Sequence, residues 1–164
     1  MKKLIILVLA LVCVLSLAAC KATEQEKAVT YYFHGEHECF AISNGSIVLS
    51  DTEEVFDGGN LSVIKTELFD EIVSYTATFY TLEDEAQRTL MSNSVVDFTG
   101  GMIHIEGDLG RISGDGFIIG GKVESIDELQ ENLWFELKTT DLNGEEEVYK
   151  IQLTLSGDCL QNRF

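Results

Sequence analysis

From Val29 onward, apolar and polar residues alternate with a period of two, and this pattern restricts the fold more than any other feature. In the clearest run Val73, Tyr75, Ala77 and Phe79 alternate with small polar residues, which predicts a strand with one buried and one solvated face. Proline is absent, and most breaks between such runs are glycine-rich. About eight short strands separated by turns favour an all-β, antiparallel β-sandwich of Ig-like or jelly-roll-like type.

Two segments are exceptions to this period. Ser125-Ile126-Asp127-Glu128 has the pattern of a capping box and predicts a short helical turn that ends near Asn132. Residues 81–91 are polar and predict either a second helical turn or a long loop. A first strand is predicted by the weaker alternation of Val29, Tyr31 and Phe33. The remaining predicted strands are Ser46–Leu49, Leu61–Leu68, Val95–Phe98, Met102–Glu106, Gly116–Ile119, Leu133–Thr140 and Glu147–Leu155.

The last predicted hairpin contains Asn143-Gly144, the usual signal for a two-residue turn. A two-residue loop would place Leu137 opposite Lys150, which mixes core and solvent on one face. A three-residue loop, Leu142-Asn143-Gly144 with Gly144 left-handed, instead places Leu137 opposite Tyr149. The same register pairs Phe135 with Ile151, Leu133 with Leu153, Glu136 with Lys150 and Trp134 with Gln152. The sequence therefore predicts the three-residue loop.

The first twenty residues predict a secretory signal. Lys2 and Lys3 precede an apolar run from Leu4 to Leu15, and Leu17-Ala18-Ala19-Cys20 follows. This ending resembles the lipobox of bacterial lipoproteins, and the resemblance implies cleavage before Cys20 and acylation of its thiol. An uncleaved anchor is the alternative, but the apolar stretch is shorter than the roughly 20 residues that span a bilayer.

The predicted organisation is therefore a signal peptide over 1–19 and a lipidated cysteine with a flexible tether over 20–28. A β-sandwich over 29–156 and a tail over 157–164 follow. Loss of Lys2 and Lys3 with the signal leaves nine basic residues against 28 acidic ones. Such a surface repels phosphate, so nucleic-acid binding is not expected, and attachment to the membrane depends on the lipid.

The predicted signal places the domain in a compartment where disulfides can form, but the sequence leaves the pairing open. Cys13 leaves with the signal and Cys20 takes lipid, so Cys39 and Cys159 remain in the domain. A bridge between them would close a long loop and contribute roughly 4–5 kcal/mol in the chain-entropy model. Two separate buried thiols are the alternative.

The densest group of metal-ligand types is His34-Gly35-Glu36-His37-Glu38-Cys39. In an extended strand His34, Glu36 and Glu38 share one face, and His104 would have to join them through the fold. An exposed polar strand is the alternative. The sequence predicts no cofactor and no metal, and keeps these four residues as the candidates for one.

Other chemical patterns are incomplete. Asp141 to Glu147 resembles the opening of a calcium loop but lacks the later ligands. Glu106, Asp108 and Asp115 lie on glycine-rich loops, where a carboxylate pair could hydrolyse a glycan, although acids are common in turns. His37 and Cys39 share a strand face but are too close in sequence to predict a catalytic dyad. None of these patterns predicts a catalytic site, so the expectation is a protein without enzymatic activity.

Trp134 is the predicted contact residue, because the hairpin register turns it to the outer face beside Gln152. Aromatic side chains on a solvated sheet face often mark carbohydrate or protein contacts. The alternative is that a second layer or a loop covers the Trp134 side chain. The same two interpretations, contact residue or covered residue, apply to Tyr32 and Tyr80.

Several segments resemble a group of small, uncharacterised lipoproteins of Gram-positive bacteria. The group has an aromatic strand, a Gly-Glu-x-Glu-x-Trp motif, a glycine-rich loop and a final Trp…Asn-Gly-x-Glu hairpin. The matching residues here are Gly35, Glu36, Glu38, Phe40, Gly114-Asp115-Gly116, Trp134 and Asn143-Gly144-Glu145-Glu146, with Phe40 in place of the tryptophan. The resemblance implies a β-sandwich held at the membrane and brings no known activity.

Together these observations predict a lipid-anchored protein on the outer face of a bacterial membrane that binds an unidentified envelope or extracellular protein or glycan. The alternatives are a metal-binding lipoprotein that uses the His34–Cys39 cluster and, less favoured, a small glycan hydrolase.

Overall fold

The computed structural model describes residues 28–83, 86–118 and 126–157. Within these ranges the chain forms eleven strands in two antiparallel sheets, which confirms the predicted all-β sandwich. The strands are β1 Val29–Glu36, β2 Phe40–Leu49, β3 Glu54–Asp57, β4 Asn60–Val63, β5 Ile72–Glu83, β6 Ala86–Val96, β7 Gly107–Asp108, β8 Arg111–Gly114, β9 Leu133–Asp141, β10 Glu146–Gln152 and β11 Thr154–Gly157. A 3₁₀ turn, Thr66–Leu68, and a short helix α1, Asp127–Gln130, complete the described elements.

The first sheet is built around the long strand β2. Its path is β11-β1-β2-β3-β8, and β4 pairs with the other end of β2 and with β7. The second sheet has the order β10-β9-β5-β6. Strand β2 can pair with both β3 and β4 because its backbone is interrupted at Asn44, whose φ of 59° is left-handed.

Phenylalanine rings join the two sheets. Phe33, Phe40 and Phe56 come from the first sheet, and Phe79 and Phe135 come from the second. The centroids of Phe40 and Phe135 are 5.8 Å apart, and those of Phe56 and Phe79 are 5.1 Å apart. All five side chains are at most 1% exposed. Tilted and edge-on contacts of this kind add to the free energy gained by burying the rings.

The predicted hairpin register is confirmed. Leu137 lies opposite Tyr149, Phe135 opposite Ile151 and Trp134 opposite Gln152. Leu153 follows the same register, since its N–H donates to the carbonyl of Leu133 over 2.8 Å. The loop has three residues, and Gly144 has a φ of 81°.

Four of the predicted local structures differ from those observed. Residues 81–83 and 86–91 belong to β5 and β6 rather than to a helix or a loop, because the polar residues of β6 occupy an edge strand. Residues 102–106 form no strand; they cross from one sheet to the other and bury Ile105. Residues 116–118 form bends, and Leu61–Leu68 divides into β4 and the 3₁₀ turn.

Two charged side chains fix the segment around Ile118. Glu54 is 1% exposed, and its carboxylate accepts the N–H of Ile118 over 2.5 Å. The guanidinium of Arg88 donates to the carbonyls of Phe117 and Ile118 over 2.6 and 2.5 Å. Hydrogen bonds to charged groups are stronger than neutral ones, so this pair links β3 and β6 through one loop.

Among the described residues no helix is long and apolar enough to cross a membrane. Residues 1–27, which carry the predicted signal, Cys20 and most of the tether, lie outside the described part of the chain. Ser125 of the predicted capping box also lies outside it, while α1 begins after Ile126 with no side-chain cap.

Candidate functional site

The concave feature considered as the candidate site is an acidic cleft of about 360 Å³. One wall is the segment from the 3₁₀ turn to the start of β5, and the other is formed by the β9–β10 hairpin. None of the described lining residues is basic. The lining carries six carboxylates, from Glu67, Asp70, Glu71, Asp141, Glu145 and Glu147.

Backbone hydrogen bonds hold the two walls together. The N–H of Leu142 donates to the carbonyl of Glu71 over 3.0 Å, and Ile72 lies opposite Asp141 in the ladder between β5 and β9. The uncharged residues Ile72 and Thr139 also line the cleft, and they are buried, at 4% and 2% exposed. The cleft is therefore rigid at its base and charged at its rim.

Asp141 is committed to the hairpin turn. One of its carboxylate oxygens accepts the backbone N–H groups of Glu145 over 2.8 Å and of Asn143 over 2.9 Å. These bonds, that from Glu145 first, hold the pKa of Asp141 below its ordinary value. The carboxylate thus stays ionised and explains the turn without a calcium ion.

Tyr149 lies next to the cleft beneath Glu147. Its hydroxyl donates to the Glu147 carboxylate, and its ring packs against Phe69 with centroids 5.6 Å apart. Burial and then the Glu147 carboxylate raise the pKa of Tyr149 far above its ordinary value. The phenol therefore stays protonated and acts as a hydrogen-bond donor.

The structure does not bring the predicted metal ligands together. His34 and Glu36 are exposed on β1, and Glu38 is exposed in the bend between β1 and β2. Glu38 pairs with Lys65 over 3.2 Å, and His104 pairs with Glu106 over 2.9 Å. In the described part of the chain no three His, Cys, Asp or Glu side chains are placed to hold a metal ion.

Cys39 and His37 do not form a reactive dyad. Nδ1 of His37 accepts the backbone N–H of Cys39 over 3.3 Å, and its ring stacks on Phe40 with centroids 5.1 Å apart. Cys39 is a free thiol, 2% exposed, and burial raises its pKa. Cys159, its predicted disulfide partner, lies outside the described residues.

Two of the three carboxylates predicted on the glycine-rich loops accept hydrogen bonds from backbone N–H groups. Glu106 accepts the N–H of Val63 over 2.9 Å, and Asp108 accepts that of Gly110 over 2.6 Å. The Val63 N–H is the main cause of a lowered pKa at Glu106. A lowered pKa is the opposite of what a general acid for glycan hydrolysis requires.

Trp134 takes its predicted position on the outer face but is only partly exposed. Its indole nitrogen is enclosed and has no hydrogen-bond partner among the described residues. Tyr80, directly opposite it on β5, is 3% exposed, whereas Tyr32 on the other sheet is 48% exposed. Of the three predicted contact residues, Tyr32 is therefore the most accessible.

The acidic cleft is the feature that sequence reasoning missed. Its two acidic runs, Glu67–Glu71 and Asp141–Glu147, are visible in the sequence but are separated by about seventy residues. Only the ladder between β5 and β9 places them side by side. Comparisons with family models, with curated proteins and with solved structures find no match for this chain.

Proposed function

We propose that this protein is a lipid-anchored, non-enzymatic binding protein on the outer face of a bacterial membrane. Lys2, Lys3, the apolar run and the Leu-Ala-Ala-Cys20 sequence support the anchor. Two acyl chains suffice for stable attachment without help from a basic patch. The partner is a protein or glycan of the envelope or of the extracellular space.

The observation that carries this proposal is that Val29, where the described domain begins, and the acidic cleft lie at opposite ends of the domain. Strand β1 begins at Val29, opposite Leu49, and ends at Glu36, opposite Ala41. Just beyond Glu36, the carbonyl of Cys39 accepts the N–H groups of Ile64 and Lys65, which directly precede the 3₁₀ turn of the cleft wall. The chain therefore enters the domain at one end, and the cleft opens at the other.

This arrangement suits presentation of a binding surface. The tether of residues 21–28 spans at most about 29 Å when extended. A lipid on Cys20 would keep the Val29 end near the bilayer and leave the cleft on the distal side. We call the end of the domain that carries the cleft the distal end.

A lowered pKa at Glu106 and Asp141 argues against glycan hydrolysis by these two carboxylates. The described carboxylates with a shifted pKa are Asp97, Glu106 and Asp141, and in each the pKa is lowered by hydrogen bonds. Ionised acceptors of this kind bind cations and donors, whereas hydrolysis of a glycan needs one carboxyl with a raised pKa. No described feature favours the metal-binding alternative.

The test is Cys20→Ser in a bacterial host fed radiolabelled palmitate. We expect the native chain to incorporate label, to fractionate with membranes and to lose residues 1–19 by intact mass. The variant should take up no label. If the serine variant remained in the membrane fraction at the native size and amount, the lipid anchor would be excluded.

Orientation across the membrane is tested separately with Leu142→Cys in a Cys159→Ser chain and a membrane-impermeant maleimide, so that the second native thiol of the domain takes no label. Leu142 is 52% exposed at the distal end, while the native Cys39 is buried. Intact cells should label the variant as fully as permeabilised cells do. Labelling that requires permeabilisation would place the domain inside the cell and would contradict the proposal.

A further inference from the structure

A second feature of the distal end is a set of exposed apolar side chains, which we call the apolar rim. Phe98 is 93% exposed and Met102 is 64% exposed, both in the loop after β6. Leu142 at the tip of the β9–β10 hairpin is 52% exposed, and Leu68 in the 3₁₀ turn is 43% exposed. Clustered exposed apolar groups typically mark interaction sites, while single ones need no explanation.

Backbone hydrogen bonds show that the apolar rim lies at one end of the fold. The N–H of Asp97, next to Phe98, donates to the carbonyl of Val73 over 2.9 Å. The N–H of Ile103, next to Met102, donates to the carbonyl of Ile72 over 2.7 Å. These two bonds fix the loop against the first residues of β5.

The same residues of β5 also form the cleft. Ile72 lines it, and the carbonyl of the preceding Glu71 accepts the N–H of Leu142. Leu68 itself is part of the cleft lining. The apolar rim therefore extends from the cleft, at Leu68 and Leu142, to the neighbouring loop at Phe98 and Met102.

We propose that the acidic cleft and the apolar rim together dock a cationic amphipathic helix of a partner protein. Lysine or arginine side chains of the helix enter the cleft, and its apolar face covers Phe98, Met102 and Leu142. Helices of this type bind through apolar anchors spaced by three and four residues. This proposal rests on the proposed function only in assigning the partner to the outer side of the membrane.

Charge complementarity selects this occupant. The six carboxylates of the cleft, in a chain of net charge −17, repel an anionic lipid, a nucleic acid or a second copy of the chain. An apolar partner without positive charge would leave the carboxylates desolvated and unpaired, which costs free energy. Only a partner that is both cationic and apolar satisfies the two surfaces together.

The experiment measures fluorescence anisotropy of a labelled 18-residue peptide of lysine and leucine, with leucines at amphipathic helical spacing. The protein is the full chain, purified in a nonionic detergent whose own signal is subtracted. No step of this experiment depends on an acylated Cys20. If the peptide does not bind, the proposed lipid anchor is unaffected. If the palmitate test fails, the peptide-binding result can still be interpreted.

We expect saturable binding that weakens as salt rises, because the cleft charges are solvent-exposed. Phe98→Ser should weaken binding about tenfold, as truncation of an exposed aromatic anchor does. Glu67→Gln with Glu71→Gln should weaken it about fivefold at low salt and less at high salt. Thermal denaturation checks that each of these variants, and each control variant, keeps the native fold.

Matched controls are placed away from the distal end. Tyr32→Ser removes an exposed aromatic from β1, and Asp51→Asn with Glu53→Gln removes two charges near Leu49, at the end where the chain enters. Both should bind the peptide within twofold of the native chain. Controls that lose affinity as strongly as the distal variants would overturn the proposal.

The other possible occupants give distinct results. Equal binding of an all-lysine peptide would show that the apolar rim is not used, and equal binding of a scrambled peptide would exclude an amphipathic helix. If the Cys20→Ser chain floats with phosphatidylcholine vesicles and the added Phe98→Ser substitution abolishes flotation, the occupant is a lipid surface. Self-association abolished by Phe98→Ser would identify a second copy. Each of these outcomes, or unchanged binding by Phe98→Ser, overturns the proposal.

Discussion

The ring of Phe33 lies directly over Gly45, its partner across the β1–β2 ladder. A Cβ atom at position 45 would overlap three carbon atoms of the ring. Phe33 cannot move aside, because its ring also packs on Phe56 and Phe79 with centroids 5.3 and 5.7 Å away. Gly45 is thus what allows the aromatic core to reach the middle of β2.

We therefore expect Gly45→Ala to lower the free energy of unfolding by about 1–3 kcal/mol, the usual cost of overpacking. Chemical denaturation monitored by circular dichroism measures this. Gly157→Ala is the control, since a Cβ there meets Tyr31 at an ordinary 3.6 Å. Equal stability of the two variants would show that Phe33 relaxes at little cost.

A second prediction concerns the three-residue turn between β9 and β10. Gly144 has a φ of 81°, a conformation that costs a residue with a Cβ about 1–2 kcal/mol. Gly144→Ala should lose about this much stability. Gly144→Asn should lose less, because asparagine tolerates the left-handed region. Denaturation midpoints of the two variants provide the measurement, and an alanine variant as stable as the native chain would contradict it.

The sequence was sufficient to predict this hairpin because its evidence is local. Two alternating runs close to one another in sequence leave few registers, and only one keeps Leu137, Phe135 and Leu133 on the face shared with Tyr149 and Ile151. The outer-face position of Lys150 and Glu136, which pair over 2.9 Å, follows from the same register.

The edge strand β6 and the cleft could not be predicted in the same way. Ser92, Asn93 and Ser94 resemble a polar loop, but Ser92 and Ser94 bond across the ladder to Thr78 and Thr76 over 3.1 and 2.9 Å. The two walls of the cleft meet only through long-range pairing of β5 with β9, which no local pattern encodes.

The third prediction is that Cys39 and Cys159 are not bridged. Gly157, the last described residue of β11, lies opposite Tyr31, whereas Cys39 lies beyond Glu36 at the other end of β1. The five residues from Tyr31 to Glu36 cover about 17 Å, and two residues after Gly157 reach at most about 7 Å. A disulfide needs Cα atoms within about 7 Å of one another.

Intact mass of the native protein before and after reduction checks this. We expect no increase of about 2 Da on reduction, the mass of the two hydrogens that a reduced bridge gains. Because burial raises the pKa of the Cys39 thiol, iodoacetamide should modify it slowly in the folded chain and rapidly in denaturant. A gain of about 2 Da, together with protection of both thiols in denaturant until reduction, would demonstrate the bridge instead.

The last prediction concerns the pH dependence of the cleft hairpin. The N–H groups of Glu145 and Asn143 lower the pKa of Asp141 in the folded chain relative to about 4 in the unfolded chain. A carboxylate with a lowered pKa contributes stability above its unfolded pKa, and that contribution is lost as the pH falls through the folded value.

Asp141→Asn, which removes the charge and keeps the shape, should therefore be less stable than the native chain at pH 7. The difference should shrink below about pH 4, as urea denaturation across the range would measure. Asp51→Asn, at the other end of the domain, should show a smaller change; a deficit for Asp141→Asn that persisted undiminished at pH 2 would mean that the amide disturbs the turn for reasons other than charge.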